Sequence, residues 1–382
     1  MLQILIVMLA LTMRWLTTCR WPTLRPLLVL LAPSLLVGAE LVTATRVEQS
    51  AFNPSDGEVA RLTYKLSSDV NVTVVVLDAD GGVVRKLAEG AVRKAGANAE
   101  VWDGRDEDNK VVPDEAYSFK IETSVGEIND TAMSNGGIVG DITRARCDRE
   151  SGTLVYELPT PARVLVRLGI KNGPMHKTLV DWRPRIGGSI TESWDGRDEH
   201  GLFALREHKD FNAMITYITL PKATVIAYGN DTETYREYKL GRGKDRAQKS
   251  TAASPLAAGQ NQVRPTGLVP PAWARAPKVL MTFPALPEAA TGVPTIRGTV
   301  GVRVDVDPTD KEYLAKDQFE VIFFVDNVFF AEAERGYLPY NFRWETEELP
   351  EGDHILTVNV SSFKGQVGVA SRKVRVEKRK TP

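Results

Sequence analysis

One hexapeptide occurs twice in this chain, and no other feature constrains the fold as strongly. Trp-Asp-Gly-Arg-Asp-Glu occupies residues 102–107 and again residues 194–199, an offset of 92 (194 − 102). The same offset aligns residues 62–66 with residues 154–158 without a gap. Such a match at one offset indicates a duplicated unit. A period of 92 residues is too long for a solenoid repeat, and it fits one whole β-sandwich domain.

Within each copy, the pattern of side chains is typical of β-strands. Leu62, Tyr64 and Leu66 alternate with polar residues, as a strand with one buried face requires. Asp80-Gly81 and its counterpart Asn172-Gly173 are tight-turn pairs, because Gly, Asn and Asp tolerate the positive φ that hairpin turns need. We find no convincing amphipathic helix in the sequence. The pattern therefore predicts an all-β fold.

Several segments of the first copy together resemble a known domain. They are Phe52-Asn53-Pro54-Ser55-Asp56-Gly57, residues 62–66, Trp102-Asp103-Gly104-Arg105-Asp106, Val112-Pro113-Asp114 and Tyr117. In this combination they are similar to the FlgD-type immunoglobulin-like domain, which is named after the flagellar hook-capping protein and recurs in exported bacterial proteins. The resemblance covers residues 50–123. It implies an immunoglobulin-like sandwich, which we place at residues 47–124.

The second copy, which we place at residues 138–230, departs from this family pattern. It lacks the Pro-Asp-x-x-Tyr turn and carries extra residues around Leu205 to Lys209.

Gly, Ala, Ser, Gln, Lys and Pro dominate residues 241–276, and this composition predicts a flexible linker. Residues 277–378 have strand patterns again and resemble a bacterial immunoglobulin-like domain. The expected architecture is three immunoglobulin-like β-sandwiches, the first two in tandem and the third after a flexible linker.

Residues 1–39 have the composition of an export signal. Arginines supply positive charge, residues 28–36 supply an apolar core, and residues 37–39 form a small-residue cleavage site. Met13 would by itself begin a conventional signal peptide, whereas a start at Met1 leaves an uncleaved membrane anchor as the alternative. We expect an exported protein that is periplasmic, extracellular or bound to the cell surface, and that meets a membrane only through this segment.

The composition excludes several classes of function. A net charge of −1 offers no global field that would recruit nucleic acid or an acidic membrane surface. The basic residues are scattered, with no stripe of the kind that binds nucleic acid.

Removal of residues 1–39 would leave Cys147 as the single cysteine, which excludes an intramolecular disulfide. We expect a small, half-buried residue at this position, and a disulfide between two chains is the alternative.

The repeated motif is the most tempting candidate site. Its residues are Trp102, Asp103, Gly104, Arg105 and Asp106 in the first copy and Trp194, Asp195, Gly196, Arg197 and Asp198 in the second. Because Trp and Arg are enriched at interface hot spots, one interpretation is a binding epitope. The motif holds no nucleophile or base, however, and it is present in both copies. These properties favour a structural role, with Trp in the core, Asp-Gly at a corner and Arg paired with Asp.

No segment has the pattern of a catalytic, cofactor-binding or metal site. Asp78–Gly81 is similar to the start of a calcium loop, but calcium needs about six to eight oxygen ligands. The second copy also loses both carboxylates, so a turn is favoured. His200 and His208 lack the further ligands that zinc requires, and we expect His176 and His354 at the surface or at a strand edge. Phosphate-binding and nucleophile-elbow motifs are absent from the sequence.

We therefore expect a non-catalytic, secreted scaffold that binds a protein partner in the cell envelope through loops and edge strands. The first alternative is a carbohydrate-binding accessory protein with a polysaccharide partner, in which Trp182, Trp273 and Tyr337 would form an exposed planar row. The second is a hook-cap-related role in flagellar assembly, which the family name alone suggests. Fold does not by itself give function.

Overall fold

β-Strands dominate the part of the chain that the structure describes. The computed structural model describes residues 40–133, 136–148, 150–249, 275–286, 292–316, 318–363 and 365–378. The predicted export signal lies outside these residues, and so does the predicted linker except for its two ends. Among the described residues, no helix is long and apolar enough to cross a membrane.

The first sandwich consists of two sheets that face each other across one apolar core. Its strands are β1 (Val42–Val47), β2 (Ala51–Phe52), β3 (Ala60–Leu66), β4 (Val70–Leu77), β5 (Val83–Arg93), β6 (Gly96–Trp102), β7 (Glu115–Thr123) and β8 (Ile128–Asp130). One sheet has the order β1-β3-β6, and the other contains β7-β4-β5 with β8 paired to β7. The alternating Leu62, Tyr64 and Leu66 all point into the core, as the sequence predicts. This sandwich begins at β1, a few residues before the expected boundary at residue 47.

The second sandwich repeats this plan. Its strands are β9 (Val139–Ile142), β10 (Ala145–Asp148), β11 (Thr153–Leu158), β12 (Ala162–Ile170), β13 (Met175–Arg185), β14 (Gly188–Ser193) and β15 (Phe211–Thr219). Its sheets have the orders β10-β11-β14 and β13-β12-β15-β9. Leu154, Tyr156 and Leu158 fill its core from β11, and Asn172 takes the positive φ of +59° that its hairpin turn needs.

The chain then returns to the first sandwich. β16 (Val225–Ala227) pairs antiparallel with β7 and parallel with β2, so the second sheet of the first sandwich has the order β2-β16-β7-β4-β5. The structure therefore places this strand in the first sandwich, although the sequence interpretation put it in the second copy, residues 138–230. In the second sandwich, β9 lies beside β15 in the corresponding position.

An α-helix that the sequence interpretation did not predict follows β16. In this helix, α1 (Tyr235–Lys249), the buried side chains among the described residues 235–242 are Tyr235 and Tyr238. It is polar and contains Gly241 and Gly243, which are unfavourable in a helix interior. Residues 241–249 are therefore helical rather than part of a flexible linker. The helix forms here because side chains of its first two turns bind the first sandwich, as described below.

The third sandwich has its own core and a different strand plan. Its elements are β17 (Val279–Thr282), β18 (Thr295–Ile296), β19 (Thr299–Val306), α2 (Pro308–Leu314), β20 (Phe319–Val325), β21 (Val328–Ala333), β22 (Tyr340–Glu345), β23 (Gly352–Ser362) and β24 (Val367–Val376). The sheets have the orders β17-β19-β22 and β18-β24-β23-β20-β21. Trp344 lies fully buried between them. The predicted all-β fold class is thus confirmed.

Candidate functional site

The repeated motif has the same geometry in both sandwiches. The indole nitrogen of Trp102 donates a hydrogen bond of 2.9 Å to the carbonyl oxygen of Arg105, and Trp194 makes the same 2.9 Å bond to Arg197. Both rings are buried in their cores. In each motif, the indole of the tryptophan thus holds the turn that follows it, through the carbonyl three residues later. This geometry supports the proposed structural role.

The glycine of the motif is required by the close approach of other residues. Gly104 has a φ of +71° and Gly196 a φ of +81°, both in the left-handed region. A Cβ atom on Gly104 would collide with Pro54, and one on Gly196 would collide with the side chain of Arg206. Any larger residue would therefore add steric conflict to backbone strain.

From the sequence we expected the arginine of the motif to pair with a motif aspartate. In the structure it binds backbone carbonyls instead. Arg105 donates 2.9 Å from Nη1 to the carbonyl of Asn109, and Arg197 donates 2.8 Å from Nη2 to the carbonyl of Gly201. The first motif aspartate instead accepts a backbone bond: Asp103 Oδ1 lies 3.0 Å from the amide nitrogen of Arg105. The guanidinium group therefore closes the loop through backbone carbonyls. In the second copy, the backbone amide of Arg197 likewise donates a 3.0 Å hydrogen bond to the carboxylate of Asp195.

The last aspartate of the motif organises its own loop. In the first copy, Asp106 Oδ1 accepts 3.0 Å bonds from the amides of Asp108 and Lys110. In the second, Asp198 accepts bonds of 3.0 and 2.9 Å from the amides of His200 and Phe203. Both carboxylates are buried. The motif therefore acts first as a local loop support.

A second repeated constellation was not recognised from the sequence. A tyrosine hydroxyl donates to a glutamate, and the same glutamate accepts hydrogen bonds from an arginine in the preceding strand, which belongs to the opposite sheet. The members are Tyr64, Glu100 and Arg93 in the first copy and Tyr156, Glu192 and Arg185 in the second. Burial, reinforced by the neighbouring carboxylate, raises the pKa of both tyrosine hydroxyls. All three positions obey the offset of 92 (156 − 64), so a residue-by-residue alignment of the copies would have found them.

Helix α1 docks on the end of the first sandwich where the motif lies. Tyr238 donates a 3.1 Å bond from its hydroxyl to Asp106 Oδ2. Tyr235 donates a 3.1 Å bond to Asp80 Oδ2, in the turn between β4 and β5. Burial raises the pKa of Tyr235, so its hydroxyl stays protonated as a donor. Both tyrosines lie on one face of the helix, because residues three apart are neighbours there.

Two cations complete the same face of α1. Lys239 donates a 2.7 Å bond to Asp78, which is buried. Arg242 donates a 3.0 Å bond to the carbonyl oxygen of Val83 at the start of β5. Asp78 also accepts hydrogen bonds from the amides of Asp80 and Gly82, so residues 78–82 form a turn. Asp78, Asp80 and Asp106 are therefore each bonded to a side chain of α1.

The equivalent end of the second sandwich docks on the third sandwich. The side-chain amide of Asn359, in β23, accepts 2.9 Å from the amide nitrogen of Met175 and donates 2.8 Å to the carbonyl oxygen of Met175. His176 lies 2.8 Å from Asn327 through its Nε2 and is fully buried, with Phe203 against its ring. Burial lowers the pKa of His176. The expectation of a surface position is wrong for this residue, because the third sandwich covers it.

His354 is also buried, contrary to the same expectation. Its Nδ1 lies 2.6 Å from Asp326 and its Nε2 lies 2.9 Å from the carbonyl oxygen of Pro350. The ring, which belongs to β23, therefore links the turn between β20 and β21 to the loop that precedes β23. Among the described residues, no group of three or more His, Cys, Asp and Glu side chains could hold a metal ion.

The first two sandwiches meet through a buried ion pair. Arg163, in β12, lies 2.8 Å from Glu115 at the start of β7, and both side chains are almost fully covered. Arg163 also donates a 3.2 Å bond to the carbonyl oxygen of Trp182. Because a buried charge is costly without a partner, this pair fixes how β12 lies against β7.

A third junction ties α1 to the third sandwich. Asp310 in α2 is completely buried and accepts a 3.0 Å bond from Arg236 of α1. The same carboxylate accepts a 2.9 Å bond from the amide of Lys278, and Arg275 lies 3.4 Å away. The end of the predicted linker is thus held in place. Nearby, Asp181 of β13 accepts the amide of Ala276.

Asp181 has an unusual carboxyl group. Its second oxygen, Oδ1, is buried without a hydrogen-bond partner. Burial raises the pKa of Asp181 to about 6, against the opposing effect of the Ala276 amide. This group therefore gains a proton within the mildly acidic range.

The candidate sugar-binding row is not assembled among the described residues. Trp182 is buried, with Leu165 and Ile218 around it. Trp273 lies outside the described residues, and Tyr337 is exposed.

Cys147 is half-buried against the core of the second sandwich.

One cleft of about 330 Å³ opens between β13 and the segment after β16. Arg183 and Arg185 line one side, and Tyr228 and Asp231 line the other. Arg185 is already paired with a glutamate of its own sandwich. The lining mixes both signs of charge and has no dominant preference for an anion or a cation.

Three comparisons with known proteins bear on this arrangement. No curated protein matches the chain. Solved structures that are similar in part include an endo-β-1,4-mannanase from Thermotoga petrophila, at 17% identity and a TM-score of 0.20 over 49% of this chain and 30% of the mannanase. This chain thus spans about a third of that enzyme's length.

Two adhesin structures match over a larger share of the chain. A 1.5-MDa bacterial ice-binding adhesin is 13% identical with a TM-score of 0.19, over 89% of this chain and 98% of the other. A tetra-tandem repeat from the extending region of a large adhesion protein is 10% identical with a TM-score of 0.18, over 88% and 73%. At these TM-scores, no conclusion about function rests on the matches.

The sequence match to a domain family is specific. Residues 50–127 match the FlgD Ig-like domain family. This range contains β3 to β7, the first motif and the Tyr64–Glu100–Arg93 constellation. The first repeat, residues 50–127, is therefore a FlgD Ig-like domain.

Proposed function

We propose that this protein is a non-catalytic, exported scaffold of the cell envelope, which holds protein-binding surfaces at fixed positions. The single observation that carries this proposal is the set of direct junctions between the three sandwiches. Arg163 with Glu115, Met175 with Asn359, and Arg236 with Asp310 each bury polar groups in specific pairs. The described sandwiches accordingly belong to one compact unit.

These junctions favour a fixed arrangement over a flexible string. Interfaces between domains of one chain commonly permit relative motion unless they are well packed. Here, opening any junction would expose or orphan a buried group, and an orphaned polar group costs about 1–3 kcal/mol. We infer that these contacts hold the third sandwich against the second.

The carboxylates at the motif end also fit a structural role. Asp78 is bonded to Lys239, Asp80 to Tyr235, and Asp106 to Tyr238. A general base needs a carboxylate that can reach a substrate proton. Each of these groups is occupied by a donor from α1, so this cluster supports docking rather than chemistry.

Affinity co-purification from an envelope extract of the source organism tests the proposal. The full chain is the bait, the test variant is Asn359→Ala, in which the junction between the second and third sandwiches is weakened, and the matched control is Asn341→Ala at an exposed position of β22. We expect one or two proteins at near-stoichiometric amounts with the parent chain and reduced recovery with the test variant. Retention on cell-wall glycan without an enriched protein would contradict the scaffold role and favour carbohydrate binding.

A further inference from the structure

β21 presents an apolar edge to solvent. It is the outer strand of the sheet β18-β24-β23-β20-β21, with a partner on one side only. Three consecutive side chains on it are exposed: Val328 by 68%, Phe329 by 53% and Phe330 by 41%. A sheet edge offers unpaired backbone donors and acceptors to another strand, and exposed apolar residues add to its tendency to pair.

Other edge strands in the protein carry features that discourage such pairing. β13 ends with Arg183-Pro184-Arg185, and a proline cannot donate to a neighbouring strand. β5 contains Arg85-Lys86 and Gly90 at its exposed side. β21, with the sequence Val-Phe-Phe-Ala-Glu-Ala, has no proline, glycine, lysine or arginine. It therefore lacks the protective residues that β13 and β5 carry.

Aromatic rings flank this edge on both faces of the sheet. On the outer face, Phe329 packs edge-to-face on Phe324 at 6.2 Å between ring centroids. On the core face, Phe330 packs on Phe342 of β22 at 5.7 Å. A strand that added to β21 would thus find an aromatic neighbour for side chains on either face, and cross-strand pairs of this kind stabilise sheets.

The charge of the edge indicates which strand would fit. Residues 326–335 contain the carboxylates of Asp326, Glu332 and Glu334 and one basic residue, Arg335, at their end. Asp326 is bonded to His354, whereas Glu332 and Glu334 are exposed and form no ion pair among the described residues. A second copy of β21 would add its own Glu332 and Glu334 to the carboxylates already at this edge, and this excess of like charge is unfavourable. A strand with lysine or arginine beside its apolar residues would instead be complementary.

We propose that the outer edge of β21 accepts an extended, basic and apolar segment of a partner polypeptide as an added strand. Backbone hydrogen bonds to the edge would provide affinity, and the aromatic neighbours together with Glu332 and Glu334 would provide selectivity. This inference rests on the scaffold function proposed above and assigns one of its binding surfaces.

Fluorescence anisotropy with two synthetic peptides tests the inference on the full chain. The probe is Lys-Val-Thr-Val-Lys-Val-Thr-Val-Lys with a fluorescent label, and its counterpart has glutamate in place of every lysine. We expect the basic peptide to bind at least about tenfold more tightly than the acidic one. Phe329→Lys should weaken binding of the basic peptide about tenfold or more, and Glu332→Lys/Glu334→Lys should reverse the preference between the peptides.

Val92→Lys is the matched control, because Val92 is an exposed apolar residue on the edge strand β5. It should leave peptide binding unchanged. Equal binding of both peptides, no binding of either, or equal weakening by Val92→Lys would overturn the inference. So would a dimer of the parent chain, detected by light scattering, that Phe329→Lys converts to a monomer, since the occupant would then be a second copy.

The envelope co-purification separates this inference from the scaffold function. If Phe329→Lys retains the near-stoichiometric partner, the scaffold function stands and the assignment to β21 is wrong. If the parent chain enriches no partner, the scaffold function itself fails. Circular dichroism of each variant confirms that the fold is retained.

Discussion

The backbone carbonyls of Val83 and Met175 occupy the same position in the two repeats, and each accepts a hydrogen bond from the element docked on its repeat. Arg242 of α1 donates 3.0 Å to Val83, and Asn359 of the third sandwich donates 2.8 Å to Met175. The separation is again 92 residues (175 − 83). One end of the repeat is thus used twice for docking, once by a helix and once by a sandwich.

Asn359→Ala should open the junction between the second and third sandwiches. The substitution leaves the N–H and C=O of Met175 buried without their side-chain partner, and each such group costs about 1–3 kcal/mol. We expect amide hydrogen exchange in residues 173–177 to become at least about tenfold faster, as measured by mass spectrometry. Asn341→Ala, at an exposed position of β22, is the control. Unchanged exchange at residues 173–177 would show that Asn359 does not hold this junction.

Arg163→Met should destabilise the protein strongly. It leaves Glu115 buried without its cation, and breaking a buried pair in this way typically costs about 3–5 kcal/mol. We expect the double variant Arg163→Met/Glu115→Gln to recover a large part of this loss, because no unpaired charge remains. Urea unfolding followed by tryptophan fluorescence measures both.

The exposed ion pair of Lys94 with Asp69 provides the comparison for that experiment. Lys94→Met should change the free energy of unfolding by less than about 1 kcal/mol, because exposed pairs contribute little. A double variant as unstable as Arg163→Met alone would show that packing of the guanidinium, and not charge pairing, is the important contribution.

Tyr238→Phe should loosen α1. The helix contains two glycines and is too polar to be stable alone, so its order depends on the docked face. Loss of the hydroxyl removes the 3.1 Å bond to buried Asp106, and a bond to a charged group is worth about 1.5–3 kcal/mol. We expect exchange of the α1 amides to be at least about tenfold faster. Leu240→Ala, on the exposed side of α1, should have a much smaller effect.

The buried carboxyl group of Asp181 should make the free energy of unfolding fall as the pH rises. Its folded-state pKa of about 6 lies above the ordinary value of 3.8, so the folded state binds the proton more tightly than the unfolded state. The contribution is therefore present below about pH 4 and is lost as the pH rises through 6. Relative to Asp181→Asn, the parent chain should lose no more than about 3 kcal/mol of unfolding free energy between pH 4 and 7.

Urea titrations of both proteins at half-unit pH steps measure this difference. Asp231→Asn, at an exposed carboxylate, is the control for the effect of an aspartate-to-asparagine substitution. A difference between the parent and Asp181→Asn that grows in the opposite direction with pH would contradict the assignment of the buried proton to Asp181.

Much of each repeat could be predicted from the sequence, because it depends on local patterns. Alternating residues such as Leu62, Tyr64 and Leu66 identify a strand with one buried face, and they do face the core. The Asn172 turn has the backbone that its residue type favours. The motif corner likewise depends on residues close together in the chain. These features need no knowledge of distant partners.

The remaining features depend on contacts between distant parts of the chain. β16 is three residues long, and no local signal shows that it pairs with β7 rather than with the second sandwich. α1 lacks an apolar stripe, and it is held by aspartates more than a hundred residues away in sequence. His176 is buried only because Asn327 and its sandwich cover it. Periodicity and composition do not carry this information.

The late position of β16 has a consequence for the order in which the protein can fold. A nascent chain appears N-terminus first, yet β7 cannot pair with residues 225–227 until the whole second repeat has emerged. The first repeat therefore has a high contact order for its size, and such pairings form slowly. Until then its β7 edge stays available to other chains. A chaperone that shields this edge would allow the two repeats to interlock before either can aggregate.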